Sequence, residues 1–212
     1  MEPIRRKLIL GSLVVATPWR SAFAGLVETP AQTSGPFYPL RMLETDADLT
    51  TLKGRDGHAA GQVIHVAGRV LDRDGKPVRG ATVEIWQANA RGRYDHPNDV
   101  NTAVPLDPNF QGFARLVTDA EGRYRFKTVK PGAYPINPVN PVNVRPPHIH
   151  FDIAGKRDHL VTQMYFPGEA LNAGDGIFSA IPEAQRAATI AQPRGMAEGA
   201  PLFDWDIVLH AG

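Results

Sequence analysis

The stretch Arg145–Phe151 reads RPPHIHF and holds the residue pair with the clearest capacity for chemistry. Residues two apart on a strand face the same way, so His148 and His150 would present paired imidazoles while Ile149 turns inward. Pro146 and Pro147 lack N–H groups and stiffen the entry to that strand. A pair fixed in this way suits a metal, although an exposed His-Ile-His edge without metal has the same spelling. The remaining ligands would decide the chemistry. The chain has no Cys, which excludes thiolate catalysis, iron–sulfur clusters, Cys-zinc sites and disulfides. Asp152 shares the strand face and would complete a two-histidine, one-carboxylate set suited to Fe(II) or Zn. An H-x-H also opens amidohydrolase barrels, but only 62 residues follow His150, too few for that barrel. The other candidates are Tyr94, in ARGRYDH, and Tyr134, in KPGAYPIN. A loop tyrosine is most often a surface or packing residue, yet as a phenolate it is a hard anionic ligand that favours Fe(III).

These residues need a scaffold, and the pattern around them is β. Short alternating runs are expected as strands at Gln62–Leu71, Ala81–Ala88, Phe113–Thr118, Arg123–Val129, His148–Ile153, His159–Phe166 and Phe203–Leu209. Turn signals separate them: DRDGKP after the first and DAEG between the third and fourth. Only Pro182–Gln192 suggests a helix, with Glu183 in its first turn and Pro193 stopping it. The expectation is an all-β fold: an antiparallel β-sandwich with little helix. Residues 25–61 would form an N-terminal arm contributing to the pocket, and residues 62–212 the catalytic domain. Arg91–Gln111 and Lys130–Pro147 are long loops of the kind that carry function. The strand pattern alone would equally serve a metal-free β-sandwich binding module.

Of the 212 residues, 42% are hydrophobic, enough for one domain with a core. The formal net charge of +1 is partly a property of the first 24 residues. They carry Arg5, Arg6, Lys7 and Arg20 against Glu2; without them 19 basic residues face 21 acidic ones, a net of −2. No basic face and no nucleic-acid partner are implied. Residues 1–24 read as an export signal, with a basic start, an apolar run Leu8–Ala16 too short to span a bilayer, and a cleavage motif at Ala22–Ala24. Paired Arg5 and Arg6 point to the twin-arginine route and a periplasmic destination. If the segment stays on as an apolar helix, the protein is cytoplasmic.

Six ordered pieces resemble intradiol ring-cleavage dioxygenases of the protocatechuate 3,4-dioxygenase type: Gln32–Tyr38 (QTSGPFY), Gly68–Tyr94, Pro105–Pro135, Val144–Ile153 (VRPPHIHFDI), Leu160–Phe166 (LVTQMYF) and Phe203–Leu209 (FDWDIVL). The resemblance implies a non-haem Fe(III) held by Tyr94, Tyr134, His148 and His150, with Tyr134 and His150 axial. Two tyrosinates and a hydroxide would neutralise the ferric charge, the cheapest state in a low-dielectric pocket. It further implies cleavage of a catechol between its two hydroxyl-bearing carbons by O2, giving a cis,cis-muconate-type diacid without external reductant. A displaced Tyr134 would accept a substrate proton. Arg145 would stabilise charge on the reacting ring, its alternative being a salt bridge that holds the loop, and Gln163 would support the site. Thr33, Gly35 and Pro36 would line the substrate pocket. In two-subunit members of the family that segment comes from the subunit without iron; here it shares a chain with all four ligands, implying one component that could assemble as a homo-oligomer. Ile136 stands where such enzymes usually have tryptophan, and the following loop is a residue longer, so the identity of the catechol stays open. His58, His65, His96, His159, His210, Tyr124 and Tyr165 are expected to be structural or exposed.

Overall fold

The computed structural model describes residues 25–212; the expected export segment, 1–24, lies outside the described residues. Two sheets face each other. The first is built on β1 (Val63–Asp72), which pairs antiparallel with β4 (Arg123–Val129) from Val63↔Val129 to Arg69↔Arg123. The second is antiparallel throughout, in the order β3 (Phe113–Val117), β2 (Thr82–Trp86), β7 (His148–Ala154), β8 (His159–Tyr165). Between them lies a core that includes Ile64, Val66 and Phe126 from one sheet and Val83, Ile85, Ile149 and Phe151 from the other. Burying each such side chain contributes about 1.5–3 kcal/mol. The strict alternation of β7 fixes its orientation. Ile149, Phe151 and Ile153 enter the core, so His148, His150 and Asp152 must occupy the outer face.

Three expectations need correction. Phe203–Leu209 is not one strand but the end of β10 (Ala200–Asp204) followed by β11 (Ile207–Leu209), and both run parallel to β1. The first sheet is therefore mixed. The break falls at Trp205, whose ring is drawn into the core against Phe151 at 4.9 Å, while its carbonyl accepts the Tyr124 hydroxyl at 2.6 Å. Asp206 then takes the Arg69 N–H at 2.9 Å in place of a ladder bond. The expected helix over Pro182–Gln192 is one turn, α2 (Glu183–Arg186), which tightens to a 3₁₀ turn at Ala187–Thr189. Pro182 offers no side-chain cap, and the Thr189 hydroxyl bonds back to the Arg186 carbonyl. The chain then extends into a strand, β9 (Gln192–Ala197), joined to β10 by Glu198 and Gly199, both at positive φ as a tight hairpin turn requires. A short helix not expected from the sequence, α1 (Gly176–Ser179), is capped by Asp175.

Tyr124→Phe would leave the buried Trp205 carbonyl short of its donor, a cost of about 1–3 kcal/mol. The expected thermal midpoint falls by roughly 2–4 °C per kcal/mol; calorimetry checks it.

The N-terminal segment is part of the body. Thr29 bonds to Val208 and Gln32 to Val161 through the backbone, and Leu49 is a fully buried core residue. Between those anchors Phe37, Tyr38 and Met42 cross the outer face of the second sheet and pack on Trp86, Tyr94, Phe113 and Tyr134. The Tyr38 hydroxyl donates to Glu84 at 2.6 Å, and Arg115 holds the same carboxylate. Among the described residues no helix is long and apolar enough to cross a membrane.

Candidate metal centre

Under that crossing segment His148 and His150 sit side by side. The Nδ1 of His148 is 2.7 Å from the Pro146 carbonyl, which can only accept, so Nδ1 carries the proton and Nε2 keeps its lone pair. That Nε2 lies 3.2 Å from the Nε2 of His150. The His150 ring is clamped by Trp86, stacked at 4.9 Å and 6°. Burial first, and the Arg145 charge second, push His148 down to about 3. Burial, with His148 and Arg145 nearby, holds His150 well below the usual histidine range. Both imidazoles are neutral at neutral pH, the form that ligates metals.

The two tyrosines arrive on separate loops that glycines bring together. Each comes two residues after a glycine, as Gly92-Arg93-Tyr94 and Gly132-Ala133-Tyr134. A Cβ at Gly132 would stand 2.5 Å from the Gly92 nitrogen and 2.7 Å from the Ala90 carbonyl oxygen, and one at Gly92 would strike the Ala133 carbonyl. Only two bare backbones permit this approach. The Gly132 N–H then donates to Asn89 across the seam. The Asn89 side chain caps the Arg91 and Arg93 N–H groups, and buried Asp99 accepts from the Tyr94 N–H at 2.7 Å. Tyr134 lies on β5 (Tyr134–Pro135), directly opposite Arg145 on β6 (Val144–Arg145).

The four rings close a cycle. Centroid distances are 5.4 Å from Tyr94 to Tyr134, 5.6 Å to His148, 4.8 Å to His150 and 6.3 Å back to Tyr94. The buried Tyr94 hydroxyl has no hydrogen-bond partner, and neither has His150 Nδ1, on the ring edge away from the Nε2 that faces His148. Such orphans are costly in a finished core and ask for an explanation. Burial, and then the neighbouring Tyr134 phenol, raise Tyr94 well above the ordinary tyrosine range. Tyr134 is raised by burial too, with Arg145 pulling the other way. A bound trivalent cation reverses that logic and stabilises phenolates. Two imidazoles and two phenols therefore fit a hard, highly charged ion. The alternative carboxylate set does not form. Asp152 is engaged by the Nε2 of His159 at 2.6 Å, and among the described residues no group of three His, Cys, Asp or Glu side chains is placed to hold a metal.

The residues expected to line a pocket surround this cycle. A Cβ at Gly35 would lie 3.4 Å from Cε1 of His150, so the crossing segment passes close to that ring. The Thr33 hydroxyl accepts the Gly35 N–H, and the Pro36 carbonyl accepts from Asn98. Ile136 is 64% exposed, at the rim of a small pocket shared with Phe37, Tyr134 and Pro138. Gln163 is fully buried; its amide donates to the Thr33 carbonyl and its oxygen accepts from Arg145 at 2.7 Å. Sequence reasoning missed Trp86, Asp175 and Tyr165. Tyr165 reads as structural from its strand pattern, but its hydroxyl bonds to Gln32 at 3.0 Å and touches both Arg145 and Asp175. Asp175, flanked by Gly174 and Gly176, carries a helix-cap signal that could have marked it.

Fold and site together define a β-sandwich protein with a buried tyrosine–histidine centre on one outer face. Residues 33–211 match the sequence model of the family described as Dioxygenase. The chain belongs to the intradiol ring-cleavage dioxygenases. It is 52% identical over 173 residues to the protocatechuate 3,4-dioxygenase beta chain of Burkholderia cepacia, covering 78% of this chain and 72% of that one. The alpha chain from the same organism is 33% identical over 187 residues, covering 84% and 89%. Among solved structures, the dioxygenase domain of a dioxygenase–carbohydrate-binding fusion from Streptomyces sp. SirexAA-E superposes with a TM-score of 0.65 at 28% identity, covering 87% of this chain and 99% of that one.

Proposed function

We propose that this protein is a ferric, non-haem dioxygenase that opens a catechol-type ring between its two hydroxyl-bearing carbons, and that Tyr94, Tyr134, His148 and His150 hold the iron. The observation that carries the ferric reading is the closed cycle of two neutral imidazoles and two phenols, one of them, Tyr94, buried with its hydroxyl unpartnered. Bound there, Fe(III) would supply the charge that keeps the phenols ionised and draws electron density from a chelated catechol, making its ring reactive toward O2. The protein's own groups do the rest. The Tyr134 oxygen would take a proton from an entering catechol, and Arg145 opposite it favours the charged form before transfer. Trp86, stacked on the His150 ring, fixes its plane. Thr33, Gly35 and Pro36, with Ile136 at the rim, would bound the substrate, and the crossing segment limits water.

The high identity to a protocatechuate enzyme's beta chain supports a protocatechuate-like catechol as substrate. Cover and ligands share one chain, which supports a single-component enzyme, assembled if at all from copies of itself. The paired arginines and short apolar run of residues 1–24 support export to the periplasm.

The test is an oxygen-uptake panel of protocatechuate, catechol and hydroxyquinol with iron-loaded protein. The expected result is a red-brown protein that consumes O2 with at least one of them, without NADH, and forms a product absorbing in the near ultraviolet. A fully iron-loaded but colourless protein, or a yellow semialdehyde product, would refute the reading.

A further inference from the structure

We propose that Asp175 is the positioning residue for Arg145, gripping one edge of the guanidinium so that the other edge is presented to the four-ring cycle. Asp175 is 3% exposed and sits where a 3₁₀ turn, Ala170–Gly174, meets α1. Its carboxylate binds Arg145 bidentately, Nε to Oδ1 at 3.0 Å and Nη2 to Oδ2 at 3.1 Å. The second Nη2 hydrogen is taken by Gln163. Every hydrogen bond that Arg145 makes among the described residues leaves from Nε or Nη2. Nη1, with two N–H donors, is left over. Arg145 stands directly opposite Tyr134 in the β5–β6 pair, and side chains at such positions share a face. The uncommitted edge thus falls on the side of the metal-binding phenol.

The grip must be anionic to work well. A guanidinium is a planar fork on a long flexible stem, and a two-point carboxylate contact fixes both its direction and its plane. A buried cation without an anion would also be strongly disfavoured. Gln163 cannot turn freely to help, because its nitrogen is committed to Thr33 on the crossing segment. Asp175 thereby leaves two fixed donors for negative charge that develops on a bound aromatic diolate, and no reorganisation is needed when the charge appears. The choice of a diolate rests on the ferric dioxygenase reading; the clamp itself does not.

The test therefore has two arms on the full chain. In the first, the protein is labelled with ¹⁵N-arginine and loaded with gallium(III), a diamagnetic stand-in for iron. Arg145, identified by its disappearance in Arg145→Gln, should show hindered guanidinium rotation that becomes fast in Asp175→Asn. Rotation that stays hindered in Asp175→Asn overturns the proposal. In the second arm, iron-loaded Asp175→Asn should lose about 10–100-fold in kcat, with iron content and KM little changed. In an Arg145→Gln background the same change should cost nothing further. Losses that multiply in the double variant would show Asp175 acting on its own, and would also overturn it. Should Asp175→Asn fold poorly, the amide pair Arg145→Gln/Asp175→Asn is expected to recover folding and to match Arg145→Gln in kcat. A wild type inert toward every catechol would remove the ferric reading while the first arm still decides the clamp.

Discussion

Tyr94→Phe is expected to abolish ring cleavage and iron retention while leaving the metal-free protein as stable as before, or more so. The ring itself would stay. Phe keeps the stack with Phe37 at 4.5 Å and the edge contact with Tyr134, so packing gives no reason to unfold. Only the hydroxyl goes, and that hydroxyl is buried without a partner. An unpartnered buried hydroxyl costs about 1–3 kcal/mol in protein mutational data, so the metal-free variant should melt at the same temperature or a few degrees higher. The iron-loaded comparison runs the other way. Changing groups that merely orient a ligand costs about 10–100-fold in affinity or activity, and removing a ligand, the role proposed for Tyr94, should exceed the top of that range. Iron assay after gel filtration, the visible charge-transfer band and oxygen uptake read the effect. A variant that keeps iron, colour and turnover would show that Tyr94 is a packing residue after all.

The second large effect is expected from a position that touches no ligand. Gly132→Ala adds one methyl group where the nearest atoms are backbone, at 2.5–2.7 Å. Backbone cannot swing aside as a side chain can, so the Tyr94 and Tyr134 loops must separate. Overpacking of this kind costs about 1–3 kcal/mol, sometimes more, or roughly 2–4 °C of melting temperature per kcal/mol. The effect on iron should be larger than on stability, because a shift of an ångström at the seam moves two of the four proposed ligands relative to the histidines. The variant should fold, melt lower, and bind iron weakly with a displaced visible band. Calorimetry and titration of the colour would show this; unchanged iron affinity would mean that the seam does not set the tyrosine spacing.

Much of this arrangement is legible in the sequence because it depends on local rules. The period-two alternation of HIHFDI sets which side of β7 the histidines occupy, and β-branched runs mark most strands. The parts that are not legible depend on long-range partners. FDWDIVL reads as one unbroken strand, and only the core's demand for the Trp205 ring splits it. AQRAAT has good helical composition, but Ile190 is drawn in toward Tyr165, Phe178 and Ile181, and the helix gives way after one turn. The G-x-Y spelling repeats in plain view, yet nothing local says that the two glycines meet. Asp152 fails as a ligand for a related reason: alternation places its face correctly, but its partner His159 lies on the next strand.

The crossing of Gln32–Phe37 over the histidines has a consequence for how the molecule matures. Its anchors, Val161, Thr162 and Gln163, lie some 130 residues downstream. Contacts so distant in sequence must first close a long loop, which slows their formation. A chain still emerging from the ribosome could assemble the tyrosine loops and even β7 without this cover, and the ring cycle would stand open to any ion at hand. It closes only once β8 has formed and the N-terminal segment has docked on it. On the ferric reading, the metal site is thus completed only at the last stage of folding, and the ions it meets are those of whichever compartment hosts that stage.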